Sequence, residues 1–311
     1  MDFVIFIISM GVLIWGADTL INQSEAIALK FNISEFVIGA TLIALGTSLP
    51  EMAASVVASM NNKADIAISN VIGSNILNIS LVLGVVFIIA KNINPNRDFF
   101  AKDSVWAIIP IFAFFLMIID GVISRFDGIL LLSLMGGYIL FLVTDESSEE
   151  IDREEAQLDS DNFSWGKTIL LSILGLILVM IGANFTVESA SNIARSFGIS
   201  EWIIGIVMIS FGTSLPELVV SISAAMRNKV DMAIGNIIGS NMANIAVVLG
   251  SASLVNPLHI DATNYIFDLS TLLFVTLILV FISATKLYNK SAGITLLVIL
   301  GIFLQNTITH I

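Results

Sequence analysis

The chain has 311 residues, 57% of them hydrophobic and 12% charged, with a mean hydropathy of +0.97. A soluble domain carries roughly 25% charged residues, so the composition excludes an ordinary soluble globular protein and describes a polytopic membrane protein. There is no cysteine, which excludes disulfides and thiolate metal sites, and the formal net charge of -12 is weighted by one acidic stretch, Asp145 to Asp161.

With about 20 residues needed per membrane span, ten helices fit, with cores at 3–28, 34–60, 65–90, 103–120, 127–144, 167–193, 200–226, 231–255, 266–285 and 291–308. Met1-Asp2 opens directly onto an apolar run, with no basic segment and no small-residue cleavage site, so the first helix is expected to be retained. Connections are short except at 145–166, which reads as a solvated acidic linker and lacks the spacing of a calcium-binding EF-hand loop. The expected architecture is an all-α membrane protein with two five-helix halves, 1–144 and 167–311.

Internal repetition is the strongest organising fact. Residues 31–84 align without a gap onto 197–250 at an offset of 166, with 31 identities in 54 positions. The matches include Ser34-Glu35 with Ser200-Glu201, Asn62-Lys63 with Asn228-Lys229, and Gly73-Ser74-Asn75 with Gly239-Ser240-Asn241. Shared hydrophobicity does not produce such identities. Five spans per half is an odd number, so the second half is expected to enter the membrane inverted, the arrangement of secondary transporters with broken helices. Loops on one side hold ten basic residues (Lys30, Lys91, Arg97, Lys102, Arg153, Lys167, Arg227, Lys229, Lys286 and Lys290) and the other side holds Lys63, Arg125 and Arg195. That asymmetry puts the linker in the cytoplasm and both termini outside.

The chemistry concentrates in Gly46-Thr47-Ser48-Leu49-Pro50-Glu51 and its identical copy Gly212-Thr213-Ser214-Leu215-Pro216-Glu217. Gly and Pro four residues apart break helices 2 and 7, because proline lacks an N–H and clashes with the carbonyl four residues back. Carbonyls near Ala44–Thr47 and Ser210–Thr213 are thereby expected to be free for an ion, beside the hydroxyls of Thr47, Ser48, Thr213 and Ser214. Glu51 and Glu217 supply charge, and a carboxylate inside a span is by default a functional site. The donors are all oxygen, which suits Ca²⁺ or Na⁺ and not soft metals.

Helices 3 and 8 carry a second motif at four-residue steps, Asn70, Ser74 and Asn78, matched by Asn236, Ser240 and Asn244. Such a stripe must face protein or water; interhelical hydrogen bonding is the alternative to ion binding. Asn75 and Asn241 fall on other faces, where interhelical bonding is the expectation. Asp18 maps onto Asn184, so its charge is not repeated, and an entry vestibule or a hydrogen-bonded surface position is expected; Glu25 and Glu188 sit near helix ends. Two ionised glutamates match one Ca²⁺, two Na⁺ or two protons. An empty site of that charge is unfavourable, which argues for exchange over channel conduction. No nucleophile–base pair, metal triad or cofactor loop accompanies them, so no enzyme and no cofactor are expected.

The duplicated hexapeptide followed by Gly-Ser-Asn-x-x-Asn resembles the alpha repeats of the sodium/calcium exchanger family, within the cation/Ca²⁺ antiporter superfamily, and the resemblance extends over nearly the whole chain. It implies Glu51 and Glu217 as carboxylates shared by Ca²⁺ and Na⁺, with backbone oxygens of Thr47 and Thr213 offered to Ca²⁺. It implies flanking Na⁺ sites from Ser48, Ser214, Ser74 and Ser240 with the carbonyls of Ala44 and Ser210, and it places Asn78 and Asn244 at the centre. Helices 1 and 6 are implied to slide across the other eight. One departure stands out: some microbial exchangers and the K⁺-dependent branch have an aspartate where this chain has Asn244, which makes a K⁺-coupled mode less expected here. The implied function is Na⁺/Ca²⁺ antiport in a prokaryotic plasma membrane, the partners being the ions and the lipid bilayer, with no nucleic acid and no obligatory protein partner. A Ca²⁺(cation)/H⁺ exchanger on the same scaffold is the alternative.

Overall fold

The structure is a computed structural model and describes residues 1–90, 93, 95–145, 163–198 and 211–309. In chain order its helices are α1 (Asp2–Phe31), α2 (Glu35–Thr47), α3 (Leu49–Met60), α4 (Ala64–Ile89), α5 (Phe99–Met117), α6 (Arg125–Asp145), α7 (Trp165–Ser196), α8 (Leu215–Met226), α9 (Val230–Val255), α10 (Ala262–Thr285) and α11 (Lys290–Thr309). Among the described residues eight are long and apolar enough to cross a membrane, or nine if the bent pair α2–α3 is one span. The expected span at 200–226 is described only from 211 onward, and α8 is its second part.

Burial orders these helices. The apolar windows of α4 and α9 are 72% and 89% buried, whereas the other six spans lie between 28% and 39%. The two helices that carry the Asn/Ser stripes are therefore the centre of the molecule. The outer helices turn large apolar side chains such as Ile7, Phe112, Leu170 and Phe281 outward, as a lipid-facing surface requires.

Small residues set how closely the centre packs. A Cβ at Gly239 would run into the backbone of Ala40, and one at Gly235 into the backbone of Phe36, so α9 lies directly against α2. The same holds between α1 and α7. A Cβ at Gly16 would stand 2.8 Å from Val179 N, and one at Gly182 would stand 2.7 Å from Leu13 N. Without a hydrophobic drive between helices in lipid, such close backbone approach is how membrane helices hold each other.

The expected break in helix 2 is present. Ser34 caps its start, its hydroxyl accepting from Val37 N at 3.4 Å. The helix then takes a π turn at Gly39–Ile43 and leaves helical geometry at Ser48 (φ -81°, ψ 4°), and α3 starts again with Pro50 in its first turn, bent by 44°. Proline is tolerated there because that N–H has no intrahelical partner in any case. One detail differs from the sequence expectation. The Ala44 carbonyl keeps its intrahelical bond from Ser48 N at 3.0 Å, because the Pro50 clash falls on the carbonyl of Gly46. α8 begins the same way after Ser214 (φ -84°, ψ 2°).

Two features are not visible in the sequence pattern. π turns open inside α4 at Asn78–Leu83 and inside α9 at Asn244–Leu249, again 166 residues apart. A two-residue antiparallel ribbon also pairs β1 (Val122–Ile123) with β2 (Leu258–His259), and Arg125 donates to the carbonyls of Leu254 and Val255 at the end of α9. α5 begins at Phe99, earlier than the expected core at 103, because Asp98 accepts from Ala101 N at 3.1 Å. At its base Arg97 pairs with Asp103 (2.6 Å) and Asp145 (3.2 Å) and lies over the Phe36 ring.

The packing yields a contrast. Gly239→Ala forces backbone against backbone and is expected to cost about 1–3 kcal/mol, lowering the melting temperature in detergent. Gly136, with nothing within 4 Å of a Cβ among the described residues, is expected to accept alanine with unchanged or slightly higher stability. Equal melting temperatures for the two variants would contradict this packing.

Candidate ion-binding site

Each glutamate follows a proline in the first turn of a helix that restarts after a break, α3 for Glu51 and α8 for Glu217. Both side chains are fully buried. Ser48, from the first motif, donates to Glu217 Oε1 at 3.3 Å and so joins the two copies directly.

The stripes of α4 and α9 hold the broken helices in place. Asn70 donates to the Glu51 backbone carbonyl (3.2 Å) and to Ser55 Oγ (2.9 Å), and Asn236 donates to Ser221 Oγ at 2.9 Å. Their amide oxygens face the opposite copy: Thr213 Oγ1 donates to Asn70 Oδ1 at 3.4 Å, and Thr47 Oγ1 to Asn236 Oδ1 at 3.3 Å. Thr47 Oγ1 also stands 3.4 Å from Ser240 Oγ. The Asn–Ser and Thr–Asn bonds recur with both partners moved by 166 residues, so each half-chain supports the other's motif. The hydroxyl contacts are longer than the common O–H···O separation of about 2.7–2.8 Å. Hydroxyls held that loosely can turn to a cation.

A set of oxygens is left over. Both carboxylate oxygens of Glu51, Oε2 of Glu217, the amide oxygens of Asn78 and Asn244 and the Ser214 hydroxyl are buried without a hydrogen-bond partner among the described residues. Nor does a lysine or arginine pair with either glutamate among those residues. Buried polar groups are normally satisfied, and an isolated buried carboxylate costs far more than an amide. Six oxygens, two of the side chains carrying charge, are donors for a hard cation.

Of the residues the sequence singled out, Ala44, Thr47, Ser48, Glu51, Ser74, Asn78, Ser214, Glu217, Ser240 and Asn244 are all buried, and Thr213 is half-buried beside them. Ser210 lies outside the described residues. Ser55 and Ser221 were missed; the signal that finds them is their equivalence across the repeat, each four residues beyond a glutamate. Asp18 is outside the cluster, paired with Arg227 at 2.9 Å and half exposed. Glu25 and Glu35 both pair with Lys229. Burial works against that ammonium, but the two carboxylates outweigh it and raise its pKa.

A mostly helical membrane protein that gathers two buried carboxylates and a shell of neutral oxygens from two matching half-chains is a cation transporter. The comparisons give the family. The model described as "Sodium/calcium exchanger protein" matches residues 1–144 and 167–308, and the chain belongs to the sodium/calcium exchanger family. It is 39% identical to an uncharacterised membrane protein of Methanocaldococcus jannaschii, over 94% of this chain and 93% of that one. It is 30% identical to the sodium/calcium exchanger MaX1 of Methanosarcina acetivorans, with 97% of each covered. A solved structure of the sodium-calcium exchanger NCX_Mj, soaked with 10 mM Na⁺ and zero Ca²⁺, superposes with a TM-score of 0.84 at 36% identity, covering 98% of both chains. The chain is thus a cation/Ca²⁺ antiporter and not an enzyme, and transport of this kind needs no cofactor.

The cross-supported network predicts the effect of removing one strut. Asn236→Leu leaves Ser221 Oγ without its partner and removes one of the bonds of Thr47, and is expected to destabilise the protein by about 1–3 kcal/mol, read as a lower melting temperature in detergent. An unchanged melting temperature would mean that these bonds do not hold α8 and α2 to α9.

Proposed function

We propose that this chain is a secondary active antiporter exchanging Na⁺ for Ca²⁺ across the plasma membrane by alternating access. The observation that carries the proposal is the pair Glu51 and Glu217, fully buried and with three of their four carboxylate oxygens lacking a hydrogen-bond partner among the described residues. Two negative charges match one Ca²⁺ or two Na⁺. Left empty in a low-dielectric interior the pair is costly, since the effective penalty for a buried ion is several kcal/mol. Crossing without a cation is therefore disfavoured, and the outward passage of one ion is tied to the return of another. The names of MaX1 and NCX_Mj as sodium/calcium exchangers favour Na⁺ as the counter-ion.

In this reading the oxygens divide by position. Glu51 and Glu217 bind both ions. Thr47 and Thr213 offer backbone oxygens to Ca²⁺. Ser48, Ser214, Ser74 and Ser240, with the carbonyls of Ala44 and Ser210, form flanking Na⁺ positions, and Asn78 and Asn244 line the centre. The Ala44 carbonyl already accepts one backbone bond, so it offers its second lone pair. The chain is read as ten spans in two inverted five-helix repeats, 1–144 and 167–311, joined by a cytoplasmic acidic segment at 145–166, with both termini outside. The recurrence of contacts at the 166-residue offset and the one-sided placement of basic residues support this.

Tracer Ca²⁺ uptake into proteoliposomes tests the proposal. An outward Na⁺ gradient is expected to drive uptake and a pH gradient alone is not; the reverse outcome would make this a Ca²⁺/H⁺ exchanger. Glu51→Gln and Glu217→Gln are each expected to lower Ca²⁺ flux by 100-fold or more, on the order of 3 kcal/mol, while the protein remains folded. Near-normal flux in either variant would remove that residue from the site.

A further inference from the structure

Asn75 and Asn241 belong to none of the roles above. They meet where α4 and α9 face one another. Asn75 Nδ2 donates to the backbone carbonyl of Asn241 at 3.2 Å, and Asn241 Nδ2 donates to the backbone carbonyl of Asn75 at 3.3 Å. A backbone carbonyl only accepts, so each of these side chains must turn its NH₂ towards it and its own oxygen away. Those two oxygens are then taken: Asn244 Nδ2 donates to Asn75 Oδ1 at 2.9 Å, and Asn78 Nδ2 donates to Asn241 Oδ1 at 3.1 Å. An amide oxygen also only accepts, so Asn78 and Asn244 must present NH₂ to it. Their own oxygens point the other way, and these are the two amide oxygens left buried without a hydrogen-bond partner among the described residues.

Two backbone carbonyls thus dictate four amide orientations. Turning any one amide over would set acceptor against acceptor or donor against donor. Asn78 stands on the face of α4 whose earlier member, Asn70, contacts Glu51 and Thr213. In the reading of that stripe as lining the ion site, the oxygen Asn78 is forced to present is the one offered to the cation.

We propose that Asn75 and Asn241 are positioning residues for cation transport, acting through Asn244 and Asn78 respectively, and that they keep those two amides with oxygen and not NH₂ towards the cation. The inference rests on the reading of Asn78 and Asn244 as lining the site. Its physical content is preorganisation: an amide dipole already aimed at the cation needs no reorientation when the ion arrives, and a turned amide would oppose it. Each half-chain orients the amide of the other. Partners that orient a metal-binding group typically matter by about 10–100-fold in metal affinity.

The test is a double-mutant cycle read on the KM for Ca²⁺ in proteoliposome flux, driven by whichever counter-ion gradient supports transport. Asn75→Leu is expected to raise that KM by about tenfold. In an Asn244→Ala background the same change is expected to add less than about twofold, because its target is already gone. In an Asn78→Ala background it is expected to act in full, because the Asn75 backbone carbonyl that orients Asn241 is untouched. A KM unmoved by Asn75→Leu, an equal effect in both backgrounds, or an effect confined to thermal stability would overturn the proposal and leave the site intact. If Asn244→Ala itself leaves the KM unchanged, the reading of Asn244 as a site residue fails and the positioning role fails with it. Should Asn75→Leu not fold, the mirror cycle of Asn241→Leu with Asn78→Ala reads the same coupling.

Discussion

Two fully buried carboxylates, each at the restart of a broken helix and with no basic side chain among the described residues to neutralise it, are the constraint to which the rest of this molecule answers. Desolvating such a pair is affordable only if something of opposite charge fills it for much of the cycle. The protein's response is to surround Glu51 and Glu217 with groups that are polar but uncharged. Hydroxyls of Thr47, Ser48, Thr213 and Ser214 and the amides of α4 and α9 lie around them, and α4 and α9 are the most buried of the membrane-length helices among the described residues.

The repeat is kept throughout the centre and relaxes at some positions outside it. Glu51/Glu217, Ser55/Ser221, Asn70/Asn236, Asn75/Asn241 and Asn78/Asn244 are identical pairs, and most of their hydrogen bonds recur as pairs too. Away from the centre the halves diverge. Asp18 and Arg227 form an ion pair, while their equivalents are Asn184 and Asn61. Binding an ion between the halves requires matched partners; tying α1 to the loop before α9 does not, and exposed pairs of that kind contribute little to stability.

The candidate site is legible in the sequence because a charge, a proline and a glycine inside an apolar span are each costly, and they coincide twice. The positions of the described membrane-length helices were legible from hydropathy, and the break at Ser48 from Pro50. The π turns at Asn78 and Asn244 were not, because an extra residue in a helical turn leaves no compositional trace. Nor was the ribbon of Val122–Ile123 with Leu258–His259, since strands of two residues have no periodicity to detect. Asn75 and Asn241 read as interhelical contacts, which they are; their further effect on Asn244 and Asn78 depends on which atom of each amide faces which, and residue spacing does not encode that. The retained bond to the Ala44 carbonyl shows the same limit, because proline specifies which carbonyl loses its partner only once the local turn is known.

The central claim is that Glu51 and Glu217 together hold a dehydrated divalent cation between the two half-chains. Anomalous diffraction from crystals soaked in Sr²⁺, a heavier stand-in for Ca²⁺, addresses it most directly. The account predicts a single strong peak bridging the two carboxylates, within coordination distance of both. A peak bound elsewhere, with these carboxylates hydrogen-bonded only to protein, would contradict it.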